Sequence, residues 1–207
     1  MIGIVFSTLE EAQPFLQRYE RGRFSDLMEG ESLHDDHVLV SLTGIGKIKS
    51  TLRTERMLQR FRQTLGLTRV LHIGTCTSLT DALAVGTVVA ASQVFEGDRI
   101  ELSTPTYPRM PLEVPFADLP RGTLVTQDHT AQEETELGYW QRIADMTDMA
   151  GYAVAYVTAT HGLPCHIVKV VTGYMQTPDD HLLQTLADAH NAIADFLLAE
   201  MRTLQAA

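Results

Sequence analysis

The sequence predicts an α/β fold, a three-layer αβα sandwich with a central mixed β-sheet, and three observations support it. Short apolar runs typical of buried strands alternate along the chain with segments of helical periodicity. Residues 165–171 are apolar except for His166 and Lys169, a pattern typical of a strand covered on both faces. Two extended runs, 27–33 and 38–42, are joined by a polar turn and predict an antiparallel hairpin, which makes the sheet mixed.

The first strand and helix have clear local signals. Residues 2–6 are an apolar run, and Thr8 is placed to cap a helix whose first turn contains Glu10 and Glu11. Pro14 falls early enough in that helix to be tolerated. We therefore expect a buried strand that leads directly into a capped helix.

The later elements continue this alternation. Along the chain we expect a helix over 47–65, strands over 69–73, 86–94, 123–126 and 165–171, a helix that begins at Asp148, and a long C-terminal helix capped by Thr177 and Pro178. In the helix that begins at Asp148, the residues predicted to be buried are Met149, Ala153, Tyr156 and Val157. In the C-terminal helix they are Leu183, Leu186, Ile193, Leu197, Met201 and Leu204. Five prolines between residues 103 and 122 predict an extended surface loop. No linker or repeat divides residues 1–207, so we expect a single domain.

Composition excludes several function classes. The 16 Lys and Arg residues against 26 Asp and Glu leave a net charge of −10, which disfavours a nucleic-acid or membrane-surface partner. The longest apolar stretch, 82–91, is too short to span a bilayer, and the N-terminus has no signal-peptide pattern. Cys76 and Cys165 form no CxxC pair and predict two buried thiols in a reducing compartment, so we expect a cytoplasmic protein.

Familiar nucleotide and metal motifs fail. Gly44-Ile45-Gly46-Lys47 is not a P-loop, because Ser41 and Ile48 stand where that pattern needs Gly and Ser or Thr. It is not a dinucleotide fingerprint either, because position 49 is Lys, so we interpret it as a tight turn from strand to helix. The histidines form no HExxH motif, and we expect no metal and no cofactor.

Four segments, taken in order, resemble the nucleoside phosphorylase/nucleosidase superfamily, and most of all the methylthioadenosine/S-adenosylhomocysteine nucleosidases. They are residues 2–11, 43–47, 73–89 and 148–164. The proline-rich loop stands where this family has a longer helical stretch, so the chain resembles a shortened member. The resemblance implies a phosphorylase-like fold, cleavage of an N-glycosidic bond in a nucleoside-like small molecule, and a homodimer or larger homo-oligomer.

The resemblance also implies roles for individual residues. Glu11 matches the glutamate that positions the attacking water, although the residue alone fits equally well with a solvent-facing helix charge. Thr75 and Cys76 belong to the turn that approaches ribose or phosphate, and Met149 packs beneath the sugar. The base-binding loop is matched by Asp128 and Thr130, where Thr130 replaces a stacking aromatic residue.

Three further matches depart from the family pattern. His72 stands where the phosphorylases often have an arginine, which favours hydrolysis over phosphorolysis. Ala150 replaces the glutamate that grips the ribose hydroxyls, and Gly173 replaces the aspartate that protonates the base. Asp148 and Tyr174 are the neighbours that can substitute for them.

Two hypotheses therefore stay open. The chain is a purine nucleosidase with altered groups, or it is a degenerate member that binds a nucleoside or serves as an inactive partner. The proline-rich loop leaves a second choice open. Its apolar residues Tyr107, Met110, Leu112, Val114 and Phe116 either form an interface or cover the sheet.

Overall fold

A computed structural model describes residues 1–19, 24, 27–98, 107–129, 134–175 and 182–206. The predicted helix cap at Thr177 and Pro178, and Thr130 of the predicted base-binding loop, lie outside these residues. The five helices described are α1 (Leu9–Arg18), α2 (Lys47–Phe61), α3 (Glu134–Trp140), α4 (Gly151–Thr160) and α5 (Leu182–Ala206). The nine strands described are β1 (Ile2–Phe6), β2 (Ser32–His34), β3 (Val38–Leu42), β4 (Arg69–Ser78), β5 (Val88–Glu96), β6 (Arg109–Pro111), β7 (Arg121–Thr126), β8 (Met146–Asp148) and β9 (Cys165–Tyr174).

The strands in the described ranges form one mixed sheet, as predicted. Their order is β2-β3-β1-β4-β8-β7-β5-β6, and β9 pairs with both β4 and β5. β1 runs parallel to β3 and β4, and β4 runs parallel to β9, whereas β2 and β3 form the predicted antiparallel hairpin. The carboxyl ends of β1, β4 and β9 therefore meet at one edge of the sheet.

Helices cover both faces of this sheet, which confirms the three-layer αβα architecture. Helices α1 and α5 pack together on one face, where Phe15 and Ile193 are fully buried against the strands. Helices α2 and α4 pack on the other face, where the core includes Met57 and Val154. Burial of apolar side chains on both faces explains why the strand runs are almost continuously hydrophobic.

Local signals are confirmed at the starts of α1 and α2. Thr8 Oγ1 accepts a hydrogen bond from the Glu11 amide, and the Glu11 side chain accepts one from the Thr8 amide, so the two residues form a capping box. The turn before α2 places Gly44 at φ 77° and Gly46 at φ 97°, a left-handed conformation that glycine adopts at low cost. This turn is the tight strand-to-helix connection that the sequence predicts.

Three local predictions are wrong. Asp148 does not begin a helix: it ends β8, and α4 begins at Gly151. Tyr156, predicted to be buried, is 53% exposed, and Leu183 of the predicted apolar stripe is 85% exposed. Strand β8 pairs with β4 and β7, so contacts distant in sequence override the helical signal around Asp148.

The described part of the proline-rich segment, residues 107–122, covers the sheet. Within it, β6 pairs antiparallel with the edge of β5. Phe116 is 4% exposed and contacts the ring of Phe196 on α5, while Met110, Leu112 and Val114 pack against the core. Of the two alternatives for this segment, the structure supports the covering role.

Two further observations complete the fold. None of the helices in the described ranges is long and apolar enough to cross a membrane. Cys76 and Cys165 are buried and free, and burial raises the pKa of each thiol to about 12. Both thiols therefore stay protonated and weakly nucleophilic at neutral pH.

Candidate functional site

A cavity of about 400 Å³, here called the main cavity, lies where β1, β4, β8 and β9 end. Its wall includes Glu11, Thr75, Asp148, Met149 and Lys169. The carboxyl ends of parallel strands are where open α/β sheets bind ligands. The volume falls within the range of about 300–1,000 Å³ found for small-molecule sites. The main cavity is therefore the candidate site.

Glu11 is fixed at one end of the main cavity by four donors. Its Oε2 accepts from the amides of Ser7 at 3.1 Å and Thr8 at 3.2 Å. Its Oε1 accepts from the Thr75 amide at 2.9 Å and from the Thr75 hydroxyl at 3.1 Å. The side chain thus connects the start of α1 to β4 across the sheet. Glu11 lines the cavity and is shielded from bulk solvent, because it is only 6% exposed.

This contact depends on a glycine in β4. A Cβ atom at Gly74 would lie 2.8 Å from Glu11 Oε1, closer than real Cβ contacts allow. Gly74 therefore provides the space in which the carboxylate reaches the Thr75 amide. Here the need for glycine is a close approach and not a positive φ.

A buried charged cluster contributes Asp148 and Lys169 to the wall of the main cavity, with His72 behind them. Lys169 Nζ lies 2.7 Å from Asp148 Oδ2 and 2.8 Å from His72 Nε2. His72 Nδ1 lies 3.1 Å from the Val5 carbonyl oxygen, which can only accept, so Nδ1 carries the hydrogen and Nε2 accepts from Lys169. Lys169 is 2% exposed and His72 is completely buried. The imidazole is therefore neutral and holds the ammonium in place.

Asp148 is an ionised carboxylate in this cluster. Burial alone would raise its pKa, but the neighbouring groups, the Lys169 ammonium first among them, together outweigh that effect and hold the pKa of Asp148 well below its usual range. Its Oδ1 accepts from the Thr126 hydroxyl at 2.7 Å, and its Oδ2 accepts from the Gly151 amide at 2.8 Å. Asp148 therefore has no proton to donate at neutral pH.

Burial, and then the Lys169 charge, lower the pKa of His72. The histidine thus stays uncharged across the physiological range. In the described ranges, no group of three or more His, Cys, Asp or Glu side chains is placed to hold a metal ion.

The structure brings five of the predicted site residues to the main cavity. These are Glu11, Thr75, Cys76, Asp148 and Met149. Ala150 also lines the cavity and contributes only a methyl group, and Thr172 lines it next to Gly173. Tyr174 ends β9, paired with Ser78, and is not among the cavity-lining residues.

Asp128 lies elsewhere. Its Oδ1 accepts a hydrogen bond from the Lys47 amide at 2.9 Å, at the first residue of α2. The N-cap of α2, Gly46, has no side chain to satisfy such donors, so the Asp128 carboxylate does so from another part of the chain. Asp128 lines a second cavity together with Gln127 and His129.

Sequence reasoning missed Lys169 and the structural role of His72. The signal for Lys169 was present, because a lysine in a strand covered on both faces needs a buried acceptor. The identity of that acceptor was not readable, because Asp148 and His72 come from β8 and β4. Only the order of the strands in the sheet brings the three residues together.

Comparisons with known proteins agree with the fold. Residues 1–121 match the family model described as the Phosphorylase superfamily. An aminodeoxyfutalosine nucleosidase of Helicobacter pylori is 24% identical over 200 residues, which cover 83% of this chain and 84% of that protein. A Helicobacter pylori methylthioadenosine/S-adenosylhomocysteine nucleosidase variant with 5′-methylthioadenosine in its active site superposes with a TM-score of 0.79, at 21% identity over 98% of this chain and 97% of that one. The corresponding enzyme of S. pneumoniae with a transition-state inhibitor superposes with a TM-score of 0.74, at 17% identity over 98% and 99% of the two chains.

Proposed function

Because the chain belongs to the Phosphorylase superfamily, we propose that its main cavity binds a purine nucleoside or thionucleoside and hydrolyses the N-glycosidic bond. The observation that carries this proposal is the position of Glu11, a carboxylate held by four hydrogen bonds at the wall of a cavity of about 400 Å³. The nucleosidases among its relatives support the same class of substrate.

Charge in the main cavity favours water over phosphate as the attacking group. In the described wall, the carboxylates of Glu10, Glu11 and Asp148 face one lysine, Lys169, whose charge is already paired with Asp148. His72 is neutral and does not line the cavity. The net negative charge there would repel a phosphate dianion, whereas it would not repel a neutral water molecule.

Glu11 acts as the proton acceptor for that water. Its four acceptor positions are occupied, so the water binds to the Thr75 hydroxyl oxygen, one hydrogen bond from the carboxylate. As the water attacks C1′ and the bond from C1′ to the base breaks, a proton passes from the water to Thr75 Oγ1. The Thr75 hydroxyl proton passes to Glu11 in the same step.

Lys169 and Met149 contact the sugar in this mechanism. An ammonium has three hydrogens, and only two acceptors contact Lys169 Nζ among the residues that the structure describes. The third hydrogen is available to a ribose oxygen. Met149 lines the same cavity and provides an apolar surface against which the sugar packs.

The mechanism lacks a described group that protonates the leaving base. Ala150 and Gly173 carry no carboxyl group, and Asp148 is ionised and bound by Thr126, Gly151 and Lys169. Loss of general-acid catalysis lowers a rate by about 10²–10⁴-fold. The same observation favours a second candidate function, in which the chain binds a nucleoside without turning it over.

Direct assay separates the two functions. The purified chain is incubated with methylthioadenosine, adenosylhomocysteine, inosine or aminodeoxyfutalosine, with and without phosphate, and free base is measured. We expect phosphate-independent release that Glu11→Gln abolishes and Glu113→Gln, an exposed change outside the main cavity, leaves intact. Absence of release, combined with a thermal shift on adding a nucleoside, would contradict catalysis and support binding alone. Absence of both would contradict the proposed function altogether.

A restoring double substitution, Ala150→Glu with Gly173→Asp, provides a second test. A Cβ atom added at Gly173 meets no described atom within 4 Å, so this position has room for a side chain. We expect the double variant to release base faster than the parent chain. A folded variant with no gain would indicate that the two carboxylates are not what limits the reaction.

We also propose that the chain forms a homodimer or larger homo-oligomer. Ile48 on α2 is 82% exposed, and Leu52 on α2 and Tyr156 on α4 are 48% and 53% exposed on neighbouring helices. Ile45, 56% exposed, adjoins this patch and lines the main cavity, so a second copy here would help to close the cavity. Sedimentation velocity tests the proposal: we expect a dimer or larger species that Ile48→Asp dissociates, and a monomeric parent chain would contradict it.

A further inference from the structure

A second cavity of about 540 Å³ lies between the end of β7 and helix α3. We call it the aromatic cavity, and the lining residues used below are Asp98, Tyr107, Gln127, Glu136, Tyr139 and Trp140. No residue of its wall also lines the main cavity. A small cavity of about 70 Å³, lined by His129 of this wall and by Asp148 and Met149 of the main cavity, lies between the two.

Gln127 brings an unsatisfied acceptor to this cavity. The residue is 1% exposed, and its Oε1 accepts no hydrogen bond from any residue in the described ranges. Its Nε2 donates to Glu136 Oε1 at 3.3 Å, and the reversed amide would place two acceptor oxygens against each other. A buried carbonyl oxygen without a donor costs about 1–3 kcal/mol, so this position favours a ligand that donates.

Glu136 offers a second acceptor beside Gln127. The side chains of Gln127, His129 and Trp140 all contact its Oε1, at 3.3, 2.7 and 3.5 Å. No described residue donates a hydrogen bond to Oε2, so this oxygen can accept one from a ligand. Burial raises the pKa of Glu136, but the hydrogen bonds from His129, Gln127 and Trp140 together outweigh it and lower the pKa, so the group is ionised at neutral pH.

Aromatic rings and negative charge complete the wall. The ring of Trp140 lies 4.8 Å from that of Tyr107 and 5.2 Å from that of Tyr139, measured between centroids. The face of an aromatic ring attracts cations. Asp98 and Asp128 add two carboxylates, and in the part of the chain that the structure describes no lysine or arginine lines this cavity. Lys47 pairs with Asp98 from outside the wall, and His129 contacts both Asp98 and Glu136. The three carboxylates still outnumber these two cationic groups.

We propose that the aromatic cavity binds a small organic cation that carries N–H donors, such as a primary ammonium or a guanidinium group on an aryl or alkyl body. The N–H groups donate to Gln127 Oε1 and Glu136 Oε2, and the body of the ligand packs against Tyr107 and Trp140. A quaternary ammonium satisfies the charge but has no hydrogen to give to Gln127. A neutral alcohol has a donor but carries no charge to offset the excess of carboxylates.

Three probes of similar shape test these requirements. Benzylammonium, benzyltrimethylammonium and benzyl alcohol are titrated into the full chain, and binding is measured by isothermal titration calorimetry. We expect benzylammonium to bind at least about tenfold more tightly than the other two, because only it has both the charge and the N–H donors. Equal binding of benzyl alcohol, or no binding of benzylammonium at millimolar concentration, would overturn the proposal.

Matched variants place the ligand in the cavity. Glu136→Gln removes the acceptor charge and is expected to weaken benzylammonium about tenfold. Glu134→Gln removes one charge from the exposed side of the same helix and is expected to change nothing. Gln127→Met keeps the size of the side chain, removes the orphaned oxygen and is expected to weaken binding while the melting transition stays cooperative. Unchanged affinity in Glu136→Gln would contradict the site, and this variant leaves the wall of the main cavity intact.

Discussion

Lys169 Nζ lies 2.7 Å from Asp148 Oδ2 in a wall where both side chains are 2% exposed. Each charge is solvated only by protein groups, and each depends on the other for a counter-charge. A buried ion pair costs desolvation energy that its own attraction roughly repays, so removing one partner is far more damaging than the pair is stabilising. Within this wall, each of the two charges therefore needs the other to remain buried.

The first prediction concerns the stability of that pair. Lys169→Met keeps the length of the side chain and leaves Asp148 buried without a counter-charge. We expect the free energy of unfolding to fall by about 3–5 kcal/mol, measured by urea denaturation near neutral pH. Lys49→Met, which breaks an exposed pair with Glu29, is the control and should cost less than about 1 kcal/mol. Similar small losses in both variants would contradict the dependence.

The pair of Lys169 and Asp148 also illustrates which features can be predicted from sequence and which cannot. The cap at Thr8, the turn at Gly44 and the hairpin of β2 and β3 depend on residues close together in the chain, and the structure confirms all three. The start of α4 was misplaced, because Asp148 is held in β8 by Thr126 and Lys169, which are distant in sequence.

The candidate site divides in the same way. Glu11, Thr75 and Met149 were found from local segments that resemble a family, and the structure brings them to one cavity. Lys169 was missed because its partners lie on separate strands. The aromatic cavity was missed because no local pattern connects Gln127 with Tyr107.

The second prediction concerns acid denaturation. The pKa of Asp148 in the folded chain lies below its value in the unfolded chain, near 3.9, because the neighbouring groups, Lys169 first among them, together outweigh the effect of burial. Its stabilising effect is therefore fully present above that value and is lost as the pH falls through the range between the two pKa values. We expect the gap in unfolding free energy between the parent chain and Asp148→Asn to be constant from pH 7 to 5. Between the unfolded-state and folded-state pKa values of Asp148, the gap should shrink by up to about 1.4 kcal/mol per pH unit. A gap that stays constant down to the acid limit of folding would show that folding does not shift the pKa of Asp148.

The third prediction concerns His129 beside the aromatic cavity. Its Nε2 lies 2.7 Å from Glu136 Oε1 and its Nδ1 lies 3.1 Å from Asp98 Oδ1. The hydrogen bond to Glu136, and then the charges of Glu136 and Asp98, raise the pKa of His129 above its ordinary value. The stabilising effect is therefore present below the unfolded-state pKa, near 6.5, and is lost as the pH rises through the folded-state value.

Titration of the imidazole resonances by NMR measures this shift. We expect a His129 pKa above 6.5 that returns toward the ordinary value in Glu136→Gln and does not change in Glu134→Gln. If both variants titrate like the parent chain, the contact with Glu136 does not set the pKa.

The last prediction connects a glycine to the proposed chemistry. In Gly74→Ala the new methyl group would lie 2.8 Å from Glu11 Oε1, so the carboxylate must move away from the Thr75 amide and hydroxyl. Such overpacking costs about 1–3 kcal/mol of stability. Because it also breaks the path from Thr75 to Glu11, base release should fall by about 10²-fold or more. Gly138→Ala on α3 is the control: a methyl group there meets no described atom within 4 Å, and alanine favours a helix, so stability should stay equal or rise by up to about 1 kcal/mol. If Gly74→Ala retained full base release, Glu11 would not need the Thr75 contact, and the proposed proton path would be wrong.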